Sequence, residues 1–404
     1  MDMIKIGEKN LMSTYQKFPV IFRKGRGRYL YDTIGEEYLD LIGGVAVNSL
    51  GHCDRGLITV LQEQLEQFVH VSNLYWTKEL IQASSRLVNH THFEKAFFCN
   101  SGAEAVESAV KLCRAYGNSS KISRNHIISM TGSFHGRTLG ATSVTGQEKY
   151  RNGFGPLLQD ISYVPFNDYD ILMSEIKETT IAIILEPVQG EGGIIAADRE
   201  YLKKIELLCS ERDIVLIFDE VQCGIGRLGT FYAYQYFGVK PDIICLAKGL
   251  GGGIPVGAIL ATKHVAACFK IGSHGSTFGG NALAMSAVNY IVKKIRTRNF
   301  LLHIYDVSDY LFEKLCELKS NYSMIKEVRG IGLMLGLEVG DSLSEILKQA
   351  FNEKLLLIGA GSSTVRIIPA LNITRGEIDE AIFKLNTVFK RISVPEISEH
   401  KKIS

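Results

Sequence analysis

The chain has 404 residues, 46% of them hydrophobic and 22% charged, which is ample for a large core and, by length, for two domains. With 45 basic against 43 acidic residues the net charge is +2, so the charge balance points neither to nucleic acid nor to a membrane surface. No apolar run approaches the roughly 18 residues of a membrane-crossing helix, the first nine residues lack the apolar core of a signal peptide, and eight scattered cysteines without a Cys-x-x-Cys pair read as free thiols of a reducing cytoplasm.

Residues 1 to about 20 carry no signal beyond a short helix or arm. Arg28 to Ile42 alternates apolar and polar residues around Thr33-Ile34-Gly35-Glu36, which predicts a hairpin. Gly43 to Val47 follows with no polar side chain. Helices are expected over Arg55–Phe68 and Lys78–Leu87, with an aromatic loop from Asn73 to Trp76 between them. His90-Thr91-His92 has the spacing of a metal pair, but no cysteine or acid pair nearby completes it, so no metal site is expected. Ala96–Cys99 reads as a strand. A long helix then runs to Ala115 with Ser101 and Gly102 at its N-terminus, a place where free N–H groups and the helix dipole favour an anion. Ser101 and Glu104 have the spacing of a capping box, and both roles can hold together.

Asn125–Met130, Ile181–Leu185, Ile214–Phe218 and Ile243–Ala247 are short apolar runs of the kind that form buried strands. Gly224-Ile225-Gly226-Arg227-Leu228-Gly229 matches the dinucleotide-binding pattern letter for letter. Its context is wrong, because Asp219 to Cys223 separate it from the strand and Thr230-Phe231-Tyr232 follow it. A nicotinamide-dependent dehydrogenase is therefore disfavoured. A glycine-rich loop covers His274–Asn281, and a helix covers Ala282–Thr297. Beyond residue 300 the pattern becomes one of alternating short helices and strands, with Gly330–Gly336 as one strand and a polar, frayed tail from Pro395. The strand–helix alternation from about 96 to 260 argues for an α/β sheet.

Two of the apolar runs end in charge, one at Asp219 and the other at Lys248. Together they suggest one sheet with a site at its carboxyl edge. Burial disfavours the ammonium form of a lysine and so promotes the nucleophilic amine. An amine beside an acid suits pyridoxal 5′-phosphate (PLP): the lysine bonds the cofactor, and the acid keeps its pyridine nitrogen protonated.

Asp219-Glu220-Val221-Gln222-Cys223-Gly224-Ile225-Gly226-Arg227, Pro241-Asp242-Ile243 and Leu246 to Gly257 closely resemble the signature of class III PLP-dependent aminotransferases. Within that class the acetylornithine branch is most similar, and the likeness runs from about Phe22 to about Ile382. It implies the aspartate aminotransferase-type fold (fold type I), with a large PLP-binding domain over 50–295 and a smaller α+β domain built from 1–49 and 296–404. Lys248 and Asp219 would be the catalytic pair. Ser101, Gly102 and Ala103 would bind the PLP phosphate, Phe134 and Val221 would cover the two faces of the ring, and Gln222 would bond its phenolate. Arg137 would grip the substrate α-carboxylate through the planar fork of its guanidinium. Glu191 would gate Arg366, and Ser276 would also face the substrate. Thr277 would reach the phosphate of a neighbouring subunit, which implies a homodimer with shared sites. Tyr75 and Trp76 would lie near the site rim or simply pack. His135 is read as structural, since Lys248 already supplies the base. The implied reaction moves the terminal amino group of N-acetylornithine to α-ketoglutarate, with ornithine, γ-aminobutyrate and succinyldiaminopimelate as other donors to weigh. Two departures stand out: Asp54-Arg55, where relatives usually have a His-Pro start to this segment, and Ala370, where they often have a second proline.

Overall fold

The computed structural model describes residues 3–119 and 123–393. The frayed tail expected from Pro395 lies outside them. Seven strands form the central sheet: β1 Lys95–Cys99, β2 His126–Met130, β3 Ile161–Val164, β4 Thr180–Leu185, β5 Val215–Asp219, β6 Ile243–Leu246 and β7 Gly257–Ala261. Their spatial order is β1-β7-β6-β5-β4-β2-β3. All run parallel except β7, which is antiparallel to both neighbours.

Strands β4 to β7 are almost continuously apolar because both faces of the sheet are covered. Val215 and Ile217 face a core that includes Val106, Ala109, Val110 and Cys113 of helix α1, Gly102–Gly117. Leu216 and Phe218 point the other way, into a core with Tyr201, Leu202, Ile205 and Leu208 of helix α2, Arg199–Arg212. This period-two division is the strand geometry expected of β5. It leaves polar groups nowhere to go except the strand ends.

Parts distant in sequence build two further sheets. Tyr29–Asp32 and Glu37–Asp40 form the expected hairpin, with Asp32 Oδ1 accepting from the N–H groups of Ile34 and Glu36 in the turn. Leu355–Leu356 joins it in parallel. The second sheet is antiparallel, in the order Glu327–Ile331, Met334–Glu338, Thr364–Ile367, Ile358–Ala360.

Some expectations are corrected. Gly330–Gly336 is not one strand but the turn of a hairpin, with Gly332 at φ +60 between two paired strands. The region after 300 is not made of short helices alone, since Arg298–Asn321 is one helix of 24 residues. The early helix extends over Arg55–Leu65 only, capped by Asp54, whose side chain accepts from Leu57 N.

Candidate active site

Because β1, β2, β4, β5 and β6 are parallel, the loops after them emerge at one sheet edge. Asn100–Ala103, Phe134–Arg137, Glu186, residues of Asp219–Gln222 and Ala247–Lys248 line a cavity of about 410 Å³, closed by Val47 and Gly253–Val256. Gly253–Val256 reach the same edge because β7 runs the opposite way and begins there.

Strand β6 is fully buried and delivers Lys248 into this cavity at φ +46. That is a left-handed conformation costing a non-glycine residue about 1–3 kcal/mol, as is common at functional sites. Burial pushes the Lys248 amine down to about 8, and the Arg366 cation adds to the effect, while Glu191, Asp219 and Glu186 oppose it. The side chain is thus poised near the boundary between ammonium and nucleophile.

Asp219, at the end of β5, is buried. Its Oδ2 lies 2.7 Å from His135 Nδ1, and its Oδ1 accepts from Val221 N at 3.0 Å. A carboxylate only accepts, so Nδ1 carries the proton in this pair. The His135 ring is enclosed, and its Nε2 has no hydrogen-bond partner among the described residues. Glu186, after β4, is buried too: Oε2 accepts from Phe134 N at 3.0 Å and Oε1 from Gly190 N at 3.1 Å. Burial raises its carboxyl to about 7; His135 pulls it down and Asp219 pushes it up.

Helix α1 points its N-terminus at the same space. Ser101 Oγ accepts from Glu104 N at 3.2 Å, so Ser101 is the cap. The return bond of the capping box is shifted by one residue, since Glu104 Oε2 accepts from Asn100 N at 2.6 Å. The first N–H groups of the turn have no intrahelical acceptor. A Cβ on Gly102 would stand 2.7 Å from Val221 Cγ1, so glycine is what lets this helix end abut Val221 and Ala247. Arg137 is exposed, stacks 4.4 Å from the Tyr150 ring centroid and pairs with no carboxylate among the described residues. Behind Gln222, the buried Arg366 donates to Glu191 Oε1 at 2.6 Å and to Gln222 Oε1 at 3.1 Å.

Residues 11–389 match the family model "Aminotransferase class-III". The chain belongs to the class-III aminotransferases. This class-III aminotransferase is 48% identical over 377 residues to the acetylornithine aminotransferase of Clostridium acetobutylicum, covering 92% of this chain and 97% of the relative. It superposes on the ornithine aminotransferase of Toxoplasma gondii with a TM-score of 0.92 at 28% identity, covering 96% and 94% of the two chains. It superposes on the N-acetylornithine aminotransferase of Stenotrophomonas maltophilia with a TM-score of 0.83 at 32% identity, covering 96% and 99%. The expected α/β architecture of fold type I is therefore the one observed. Class-III aminotransferases depend on PLP, and so does this one. The cavity fits that cofactor: a desolvated amine for its aldehyde, a buried carboxylate for its ring nitrogen, and a helix N-terminus narrowed by Gly102 for its phosphate.

The structure brings Lys248, Asp219, Ser101, Gly102, Ala103, Phe134, Arg137, Val221 and Gln222 to one cavity. Glu191 and Arg366 pair as expected but sit behind Gln222 rather than in the lining. Ser276 and Thr277 do not line the cavity of their own chain: Ser276 Oγ accepts from Asn100 Nδ2 at 3.2 Å, and Thr277 is exposed. Tyr75 and Trp76 lie outside it as well, 66% and 83% exposed. The Gly224–Gly229 pattern is a buried turn in which Arg227 donates to the carbonyls of Leu333 and Pro369, so its letters serve packing. His92 Nε2 sits 2.7 Å from the Pro241 carbonyl, and no group of three metal-ligating side chains occurs among the described residues. Sequence reasoning missed Glu186, Asn100 and Gly253–Val256. For Glu186 the signal was present, a carboxyl ending an apolar run, as at Asp219.

Proposed function

We propose that the protein transfers the terminal amino group of N-acetylornithine to α-ketoglutarate, forming N-acetylglutamate semialdehyde and glutamate. PLP supplies the electron sink that acidifies the carbon–hydrogen bond beside the reacting nitrogen. Lys248 would hold the cofactor covalently, and its Nζ, once free, would move the proton at the substrate carbon, a role worth roughly 10²–10⁴-fold. Asp219, oriented by His135, keeps the ring nitrogen protonated. Ser101, Gly102 and Ala103 hold the phosphate from one side, and the partner's Thr277 holds it from the other. Phe134 and Val221 cover the ring faces. Gln222 donates to the ring oxygen through its amide nitrogen, its amide oxygen being taken by Arg366. Arg137 grips the donor α-carboxylate. Glu191 shields Arg366 during the donor half-reaction and leaves it when the keto acid presents its second carboxylate.

The observation that carries the choice of donor is the segment Gly43–Val47, whose last residue lines the cavity. Gly43, Gly44, Val45 and Ala46 have φ of 56, 66, 64 and 63, a tight left-handed turn that bears no polar side chain and leads to Val47 in the cavity lining. A free α-ammonium there would lose hydrogen bonds, whereas an acylated nitrogen loses fewer. The fold likeness to an ornithine aminotransferase keeps ornithine as the second reading. Mixing the purified holoenzyme with each donor in single turnover, and following the cofactor absorbance, separates them. N-acetylornithine is expected to react at least tenfold more efficiently than ornithine, a difference of about 1.4 kcal/mol in transition-state stabilisation. Preference for free ornithine would overturn the donor assignment and leave the class intact.

The reading includes a homodimer of cytoplasmic location, with residues 50–295 as the large domain and 1–49 with 296–404 as the small one. Supporting it, Leu74, Trp76 and Phe278 are 85%, 83% and 62% exposed near the loop that carries Thr277, a cluster that a second copy would cover. All eight cysteines are free, and no described helix is long and apolar enough to cross a membrane.

A further inference from the structure

We infer that Glu186 is a positioning residue that locks the loop of Phe134 and Arg137 to the loop of Glu191, so that both ends of the substrate cleft are held as one frame. One carboxylate accepts from Phe134 N at 3.0 Å and from Gly190 N at 3.1 Å, and these two donors belong to loops that follow different strands. The remaining contacts between the loops are equally close. Gln189 Nε2 donates to the Thr131 carbonyl at 2.9 Å. A Cβ on Gly132 would lie 2.8 Å from Gln189 Oε1, and a Cβ on Gly192 would lie 2.7 Å from the Gly132 carbonyl. A Cβ on Gly190 would lie 2.6 Å from Gln222 Oε1, the same oxygen that accepts from Arg366. Movement of either loop therefore displaces the other, and Glu186 is the tie between them.

The position of Glu186 suits this task. It is buried and lines the cavity, so its two oxygens gain no compensation from bulk water if a donor is lost. Among the described residues neither oxygen bonds a side chain, so the carboxyl serves the backbone alone. Glutamine is the same size but has one accepting oxygen, so Glu186→Gln must release one of the two N–H groups. Alanine releases both.

The effect on substrate rests on the assignment of Arg137 and Glu191 above, and the experiment reads the two layers separately. Hydrogen exchange of wild-type, Glu186→Gln and Glu186→Ala holoenzymes is measured over segments 131–137 and 186–193, alongside cofactor affinity, Tm and KM and kcat for both substrates. The expected result for Glu186→Gln is at least tenfold faster exchange in both segments, unchanged exchange in β5 and β6, and KM for donor and keto acid each raised about fivefold or more with kcat changed less. Glu186→Ala is expected to extend the same pattern; should it fail to fold, Glu186→Gln alone decides. Unchanged exchange in the two segments would overturn the tie. Faster exchange throughout the sheet would also overturn it, as a general loss of stability. Faster local exchange with both KM values unchanged would overturn the positioning role. Failure of the wild type to use N-acetylornithine would strike the donor reading, while the exchange comparison would still decide the tie.

Discussion

Lys248 combines three features that reinforce one another: a buried approach along β6, a left-handed backbone and a lowered pKa. The lowered value sets a pH dependence with a definite sign. In the folded, cofactor-free protein the amine is mostly neutral above about 8 and mostly ammonium below it. Only the neutral form attacks an aldehyde. The rate of PLP uptake by the cofactor-free enzyme, followed by absorbance, should rise about tenfold per pH unit below 8 and level off above it. A rate that kept rising past pH 10 would mean an unperturbed lysine. Lys248 and Asp219 were legible from sequence because charge at the end of an apolar run is costly and therefore informative. Glu186 ends its run in the same way, yet its role depends on two N–H donors from loops far apart in the chain, which spacing alone does not reveal.

At the scale of elements, five of the seven central strands (β1, β2, β4, β5 and β6) were readable to within a residue or two because two-sided burial forces apolar runs, whereas β3, which is short and carries Ser162, and β7, which follows a glycine-rich turn, were not anticipated. The hairpin at Gly330–Gly336 was not readable either. A glycine-rich apolar run has the same composition whether it continues or turns, and the turn at Gly332 is required by close packing on the Arg227 carbonyl, 2.5 Å from where its Cβ would stand. The Asp54-Arg55 departure has a physical account. Asp54 caps the helix Arg55–Leu65, pairs with Lys294 at 2.9 Å and accepts from Tyr290 Oη at 2.7 Å. Burial raises its carboxyl, but Lys294, Tyr290 and the Leu57 N–H outweigh that and bring it below the usual range. Its contribution is present at neutral pH and is lost as pH falls through the lowered value. Asp54→Ala should cost about 2 kcal/mol, from the cap and the lost partners of Tyr290 and Lys294. Denaturant unfolding at pH 7 checks the size. Repetition in strong acid should show the difference shrinking, and an acid-independent difference would contradict the account.

For the whole molecule, the decisive fact is that five of the six parallel strands send their following loops to one edge while β7 starts there. Residues from 47 to 256 thereby meet in one cavity, and Arg366 from the C-terminal third arrives behind Gln222. Thr277 is exposed and lies outside the cavity of its own chain, and in the proposed dimer it would complete the site of the partner subunit. Sedimentation should give a dimer. Substituting both Trp76→Glu and Phe278→Glu should shift it toward monomer and lower kcat/KM by at least about tenfold, since the site would lose the partner's Thr277. A fully active monomer would refute the shared site.

By itself the sequence determined the class of fold and the lysine–acid pair, because buried strands, their charged ends and glycine-rich turns are local consequences of solvation and backbone sterics. The tertiary structure alone decided which residues meet. Glu186 ties two loops, His135 orients Asp219, Arg366 shares Gln222 with the cavity, and Thr277 faces outward. Each of these is a pairing of groups far apart in the chain, fixed by sheet order and packing rather than by any pattern of neighbours.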